Sequence, residues 1–256
     1  MIFDENEAAQ IKANYDRDGY VRLPGFLDAE SLKELLENLD RFIAEIVPGL
    51  PNSDVYYESK DRSNAIRQLI RLNRHDAFFD RMMSDSDFTR LAELLIGRKT
   101  ASRNMQFFNK PAKIGAPTPP HQDGHYWMIE PCEGLTMWLA LEEVDEENGC
   151  VRYSTGSHLK GFRPHGRTDT LGFSQGLTDF PNEDDKANEV VMRAKPGDLL
   201  VHEAKTVHWA DGNTSETRDR KAMGLVYLSD RARENKEAQA AYQKKLKADL
   251  EVAGKI

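Results

Sequence analysis

The sequence predicts a mainly β protein with flanking helices, its strands forming an antiparallel sandwich or barrel. Three observations carry this. Up to Gly97 the apolar residues recur at helical spacing. After Gly97 the chain breaks into short apolar runs separated by turn residues, such as "RNMQFFNK", "GLTMWLALEEV", "NEVVMRA", "DLLVHEA" and "AMGLVYLS". Those runs follow one another without a helical segment between each pair, which argues against a parallel α/β sheet.

Taken in order, residues 4–16 read as a short helix that stops before Asp18-Gly19, a turn dipeptide. "YVRLPGF" alternates Val21 and Leu23 against Arg22 and reads as a strand. In "DAESLKELLENLDRFIAEIV", Leu32, Leu35, Leu36, Leu39, Phe42 and Ile43 form one helical stripe, with Asp28 or Ser31 as cap. Residues 74–97 read as further helix, with Phe78, Phe79, Met82, Met83, Phe88, Leu91, Leu94 and Leu95 as its apolar residues. One domain is expected: a helical part over about 1–98, a β core over about 99–230 and a charged helix over about 231–253. The helix carries Ala238, Ala241, Tyr242, Leu246 and Leu250 as a thin stripe for packing on its own sheet. The interval 161–189, rich in Gly, Asp, Asn and Thr, reads as a long loop, a length usually kept for function.

Composition narrows the function. A net charge of -8 over 256 residues, with no dominant basic patch, argues against nucleic acid as a partner. No apolar stretch is long enough to span a bilayer, so no membrane is expected. Two cysteines, Cys132 and Cys150, are too few for a disulfide scaffold, and the acidic first twenty residues lack an apolar secretion core. A cytoplasmic location is expected.

The chemistry begins at "PTPPHQDGHYW". His121-x-Asp123 offers an imidazole and a carboxylate that, on a strand, would point to the same side. Two imidazoles and one carboxylate on one face of an octahedron are the usual holders of ferrous iron in an oxygenase, with the other face open. The second imidazole must come from a distant strand. Of the seven histidines, two lie in "PGDLLVHEAKTVHWADGNTS". His202 continues an apolar strand, whereas His208 stands before the turn Asp211-Gly212-Asn213, at the kind of rim where ligands enter, so His208 is favoured and His202 is expected to be packed beside the site.

"PPHQDGHYW", "LTMWLALEEVDEENGCVRYSTGSHLKG" and "KPGDLLVHEAKTVHWADGNTSETRDRKAMGLVY", with "RDGYVRLPGFLD" upstream, together resemble the phytanoyl-CoA dioxygenase family over residues 12–228. The resemblance implies a double-stranded β-helix (jelly-roll, cupin-like) core. It also implies a non-haem iron(II)/2-oxoglutarate-dependent dioxygenase that hydroxylates a small molecule with O2 and turns 2-oxoglutarate into succinate and CO2. Carried over, His121, Asp123 and His208 would ligate Fe(II). Arg220, in preference to Arg218, would grip the far carboxylate of 2-oxoglutarate through paired hydrogen bonds, and Trp138 would line the co-substrate pocket. Asn104 and Gln106 share a strand face and are candidates for the other carboxylate. Asp123 itself favours hydroxylation, because halogenating relatives carry a small residue there. Thr155 replaces the proline of the family's Pro-Gly-Ser-His, a change expected to touch the loop only.

For the substrate, Arg163, His165 and Arg167 stand together at the start of the long loop, and His125, Tyr126 and Trp127 follow the metal triplet; the loop reads equally as a solvated one. A loop closing over iron would then favour an anionic substrate (a carboxylate, phosphate or phosphonate), while the aromatics would suit an apolar or quaternary ammonium one. The competing reading is a metal-binding β-helix protein acting as a hydrolase or sensor, which would have no use for Arg220 and Trp138 as a keto-acid site.

Overall fold

The computed structural model describes residues 3–58, 66–168, 175–242 and 244. Helix α1 (Glu5–Asp18) starts at Asp4, whose carboxylate accepts from the Asn6 and Glu7 amides while the Glu7 side chain accepts from the Asp4 amide. It stops at Gly19, where φ is 85°, a left-handed angle that glycine adopts without a Cβ penalty. After strand β1 (Tyr20–Leu23), α2 (Ala29–Arg41) is capped by Asp28 and runs on through a π-helical turn to Ile46. The helices α3 (Leu72–His75), α4 (Ala77–Ser84) and α5 (Asp87–Ile96) fill the region expected to be helical.

The region before residue 98 also contributes β2 (Val55–Tyr57) and β3 (Ile66–Ile70) to the sheet, which its sequence did not announce. Both are short, and Arg67-Gln68 interrupts the apolar alternation of β3. The remaining strands are β4 (Thr100–Lys110), β5 (Thr118–His121), β6 (Ile129–Glu130), β7 (Gly134–Ala140) and β8 (Val151–Ser154). Then come β9 (His165–Arg167), β10 (Gln175–Leu177), β11 (Glu189–Met192), β12 (Leu199–Glu203), β13 (His208–Ala210), β14 (Arg220–Ser229) and β15 (Arg233–Glu234). Two short helices, α6 (Asp123–Trp127) and α7 (Glu183–Asn188), sit in the connections.

The major sheet runs β1-β12-β7-β14-β4-β3-β2 and the minor sheet β11-β8-β13-β5, antiparallel throughout. Side chains alternate across the major sheet. Leu199, Val201, Leu135, Met137, Leu139, Met223, Leu225, Met105 and Phe107 pack on the outer helices through Leu35, Leu39, Phe42, Phe79, Met83, Leu91 and Leu95. Their alternates Leu200, Trp138, Ala140 and Ala222 meet Val151, Tyr153 and Met192 of the minor sheet. Both faces are covered, which is why these strands read as nearly continuous apolar runs. This is a jelly-roll core, as the resemblance implied.

The interval expected to be a long loop holds β9, β10 and α7, with residues 169–174 outside the described residues. Of the expected C-terminal helix, residues 236–242 are helical, while Leu246 and Leu250 fall outside the described residues.

One buried ionic cluster anchors the β2–β3 hairpin. The Asp54 carboxylate accepts from Arg71, from the Ser53 hydroxyl at 2.7 Å and from His75 Nε2 at 2.7 Å. Arg71, then those hydrogen bonds against the opposing effect of burial, hold its carboxyl well below the usual carboxylate range. Asp54→Ala is expected to cost about 1–3 kcal/mol by removing the carboxylate that the half-buried Arg71 and His75 share. Because the folded carboxyl is depressed, this stabilisation is complete above about pH 4 and lost as the pH falls below it. Denaturant titrations of both proteins should therefore differ at neutral pH and converge in acid.

Candidate metal centre

His121 closes β5 and His208 opens β13, and the two residues are paired in register across the minor sheet. Their rings lie 4.1 Å apart between centroids. His-x-Asp was expected to lie on one strand. Instead the chain leaves β5 at Gln122, and Asp123 is the first residue of α6. The two side chains still converge because Gln122 remains extended (φ -124°, ψ 119°) before the helix begins. One ligand atom from each of His121, Asp123 and His208 lies within 4.8 Å of the others.

Backbone carbonyls fix which ring nitrogens face inward. His121 Nδ1 lies 2.8 Å from the Pro119 carbonyl and His208 Nδ1 lies 3.0 Å from the Thr206 carbonyl. A carbonyl only accepts, so each Nδ1 donates and each Nε2 is the ring nitrogen turned toward Asp123, where a cation would be held. Asp123 Oδ1 lies 3.3 Å from His121 Nε2 and 3.7 Å from His208 Nε2. Burial, then the neighbouring His121 and His202 rings, push the His208 imidazole well below its ordinary value. Burial alone would raise the Asp123 carboxyl, but His208, His121 and His202 together hold it well below the carboxylate range. Two imidazoles and one carboxylate form a donor set that fits ferrous iron with open positions.

Gly124 shows how tightly this corner is built. A Cβ there would stand 2.6 Å from Cys132 Sγ, 3.0 Å from Phe162 Cζ and 3.1 Å from the Ala204 carbonyl. Gly124→Ala must displace Cys132 Sγ and press on the Ala204 carbonyl that accepts from the Gly124 amide beside Asp123, and a roughly 10-fold loss of metal affinity is expected in a direct titration.

The three residues open on a cavity of about 280 Å³ between the sheets. Arg220, at the start of β14, lines it, is buried, and holds its guanidinium carbon 5.4 Å from the centroid of the Trp138 ring. Arg220 Nε is buried and has no hydrogen-bond partner among the described residues, and burial pushes the guanidinium down to about 10. An orphaned buried guanidinium on a cavity wall fits a carboxylate ligand. Arg218 is engaged with Asp145 and Glu147 outside the cavity.

Gln106 also lines the cavity, and its carbonyl oxygen accepts from Gln68 Nε2 at 2.8 Å, which leaves its amide NH2 for a ligand. Asn104 does not line it, and its oxygen accepts from the Arg71 amide at 2.9 Å. Tyr126 and Trp127 face the cavity, but His125, Arg163, His165 and Arg167 are not among its lining residues. The expected cationic group is broken up because Arg163 pairs with Asp179 and Asp185. His165 stacks on His125 at 3.9 Å, and burial lowers it to about 4. His125 Nε2 donates to the Gln175 side chain at 2.6 Å, and Tyr126 donates to the Gln175 carbonyl, so β10 lies against α6.

Several site residues went unread in the sequence. Lys110, buried on the cavity wall, donates to the Asp211 carbonyl at 2.5 Å, and burial, then Arg220 and Arg67, push its ammonium well below the usual range. Gln122, the middle residue of His-x-Asp, is buried and donates to the Gly161 and Lys205 carbonyls while accepting from the Arg163 amide. Thr136, two residues before Trp138 on β7, donates to Asp123 Oδ2 at 2.5 Å. Strand alternation from Trp138 would have found Thr136. Lys110 and Gln122 carry no local signal, because their roles come from distant backbone carbonyls.

The comparisons with known proteins agree with this geometry. A probable alpha-ketoglutarate-dependent hypophosphite dioxygenase of Stutzerimonas stutzeri is 23% identical over 217 residues, 83% of this chain and 76% of that protein. Ectoine dioxygenase of Sphingopyxis alaskensis is 23% identical over 220 residues, 80% of this chain and 71% of that one. The epimerase SnoN, solved with Fe3+, alpha-ketoglutarate and nogalamycin RO, superposes with a TM-score of 0.72 at 25% identity, covering 90% of this chain and 86% of that one. The family model for phytanoyl-CoA dioxygenase matches residues 15–222, most of the chain. With that match spanning both the helical layer and the elements that carry His121, Asp123 and His208, the chain belongs to the phytanoyl-CoA dioxygenase family.

Proposed function

We propose that the protein is an iron(II)/2-oxoglutarate-dependent dioxygenase that hydroxylates a small molecule, with His121, Asp123 and His208 holding the iron and Arg220 anchoring 2-oxoglutarate. One observation carries it: the His-Asp-His group and the buried Arg220 guanidinium, whose Nε has no hydrogen-bond partner among the described residues, open on the same cavity. When bound, iron and 2-oxoglutarate supply the oxidation, with 2-oxoglutarate giving succinate and CO2 as one oxygen atom of O2 enters the substrate.

The chain's own groups bind and orient. His121 Nε2, His208 Nε2 and Asp123 Oδ1 would hold the metal. Arg220 sets the far carboxylate of the keto acid against Trp138, and Gln106 offers its amide to the near end. Tyr126, Trp127 and Trp209 wall the cavity on the substrate side and exclude water. An anionic group on the substrate is supported by Arg67, which lines the cavity 3.7 Å from Glu58, and by the hypophosphite named for one relative. Both cysteines are free, which suits a reducing, cytoplasmic setting, and no helix among the described residues is long and apolar enough to cross a membrane. The hydrolase or sensor reading leaves the buried Arg220 guanidinium without a purpose.

The test is anaerobic addition of Fe(II) and then 2-oxoglutarate, read as a weak visible charge-transfer band, followed by O2-dependent succinate release with small anionic compounds. Wild-type protein that binds Fe(II) but gives no band overturns the keto-acid assignment.

A further inference from the structure

The two oxygens of Asp123 have different surroundings. Oδ1 faces the Nε2 atoms of His121 and His208. Oδ2 faces the other way, toward the Thr136 hydroxyl at 2.5 Å and His202 Nε2 at 3.2 Å. His202 is buried, and its Nδ1 lies 2.9 Å from the hydroxyl of the fully buried Tyr153. Strand register explains the meeting. His202 pairs with Tyr20 and Thr136 across the major sheet, while His208 pairs with Tyr153 and His121 across the minor sheet. Two rows of side chains therefore face each other, and His202 bridges them. Tyr153 is itself held by stacking on Tyr20 at 4.6 Å, and the Tyr20 hydroxyl meets Thr155 Oγ1 at 2.9 Å.

The donor order follows from chemistry. The Asp123 carboxylate only accepts, so Nε2 of a neutral His202 carries the proton and donates. Nδ1 is then an acceptor, and the Tyr153 hydroxyl must donate to it. Tyr153 thus fixes the tautomer and ring angle of His202, and His202 with Thr136 saturates Oδ2.

We propose that His202, held by Tyr153, is a positioning residue that keeps Asp123 turned so that Oδ1 alone faces the metal. The inference rests on the proposed metal ligation by His121, Asp123 and His208. Its consequence is a carboxylate that binds through one oxygen, leaving more of the metal's face for the keto acid and O2. A ligand carboxylate whose outer oxygen is left without donors can turn and bind through both oxygens, crowding that face.

The test is anaerobic titration of the metal-free protein with Co(II), read as visible absorption, on wild type, His202→Leu, His202→Gln and Tyr153→Phe. Circular dichroism and thermal melting report folding. His202→Leu is expected to weaken Co(II) binding roughly 10- to 100-fold and to alter the cobalt band as Asp123 turns. Tyr153→Phe keeps the ring stack and is expected to move both readouts the same way, by about 10-fold or less in affinity. His202→Gln presents an amide N–H near the position of Nε2 and is expected to recover most of the affinity and the wild-type band. A folded His202→Leu protein with wild-type affinity and band overturns the proposal. So does a His202→Gln protein no better than His202→Leu, because His202 would then act by packing alone. Retention of Co(II) by His208→Ala alongside its loss in His202→Leu would make His202 a ligand and overturn the positioning role. Wild-type protein that takes up no Co(II) overturns the metal site itself, which separates that failure from the others.

Discussion

Replacing His208 with alanine is expected to abolish iron uptake and, with it, 2-oxoglutarate turnover. The His208 ring reaches the site from β13, whose other residues, Trp209 and Ala210, have no side chain that could replace Nε2 as a ligand. The loss should exceed the roughly 100-fold that follows from removing a group that only positions a ligand. The contrast with His202 is therefore sharp: His202→Ala weakens the metal site, whereas His208→Ala removes one of three donors. Equilibrium dialysis against Fe(II) under anaerobic conditions measures both. A folded His208→Ala protein whose affinity stays within about tenfold of wild type would refute the ligand set.

The second large effect is at Arg220. Arg220→Met is expected to raise the KM for 2-oxoglutarate roughly 100-fold, equivalent to about 3 kcal/mol for a desolvated charged hydrogen-bond pair. The visible band of the anaerobic complex should disappear at keto-acid concentrations that saturate the wild type. Arg220→Lys should recover little, because an ammonium cannot reproduce a paired guanidinium contact. The same substitution carries an opposite signature in the ligand-free protein. Arg220 Nε is buried without a partner and burial disfavours its charge, so a methionine of similar length should melt at a higher temperature. Loss of 2-oxoglutarate binding together with a gain in thermal stability would identify Arg220 as a residue kept for its ligand. A fall in both would make it structural.

Different parts of this site were legible in the sequence to different degrees. His121 and Asp123 stand two residues apart, and strand alternation made their convergence readable, although the chain achieves it across a strand-to-helix junction. The preference for His208 over His202 rested on one being at a rim and the other inside an apolar strand. Both rings in fact point into the site, 4.1 Å apart, because Nε2 of His202 is spent on Asp123 Oδ2. Arg218 and Arg220 differ in their surroundings in a way that spacing alone did not show: one is neutralised by Asp145 and Glu147, the other is buried beside Trp138. Arg163 looked available from its neighbours Pro164 and His165, but its partners Asp179 and Asp185 come from beyond the next strand pair.

By itself the sequence announced helices flanking a strand-rich core, the resemblance to the family and the triplet His121, Asp123 and His208 proposed as metal ligands. Each of these is written in local periodicity or in short motifs whose chemistry constrains the residue type. Only the tertiary structure decided that Thr136 and His202 meet at Asp123 with Tyr153 behind His202, that Lys110 joins the cavity wall, and that Arg163 is taken up by Asp179 and Asp185. Those contacts are set by strand register and by which of two sheets a residue lies on. A shift of one residue would turn every such side chain to the opposite face, and no local pattern records it.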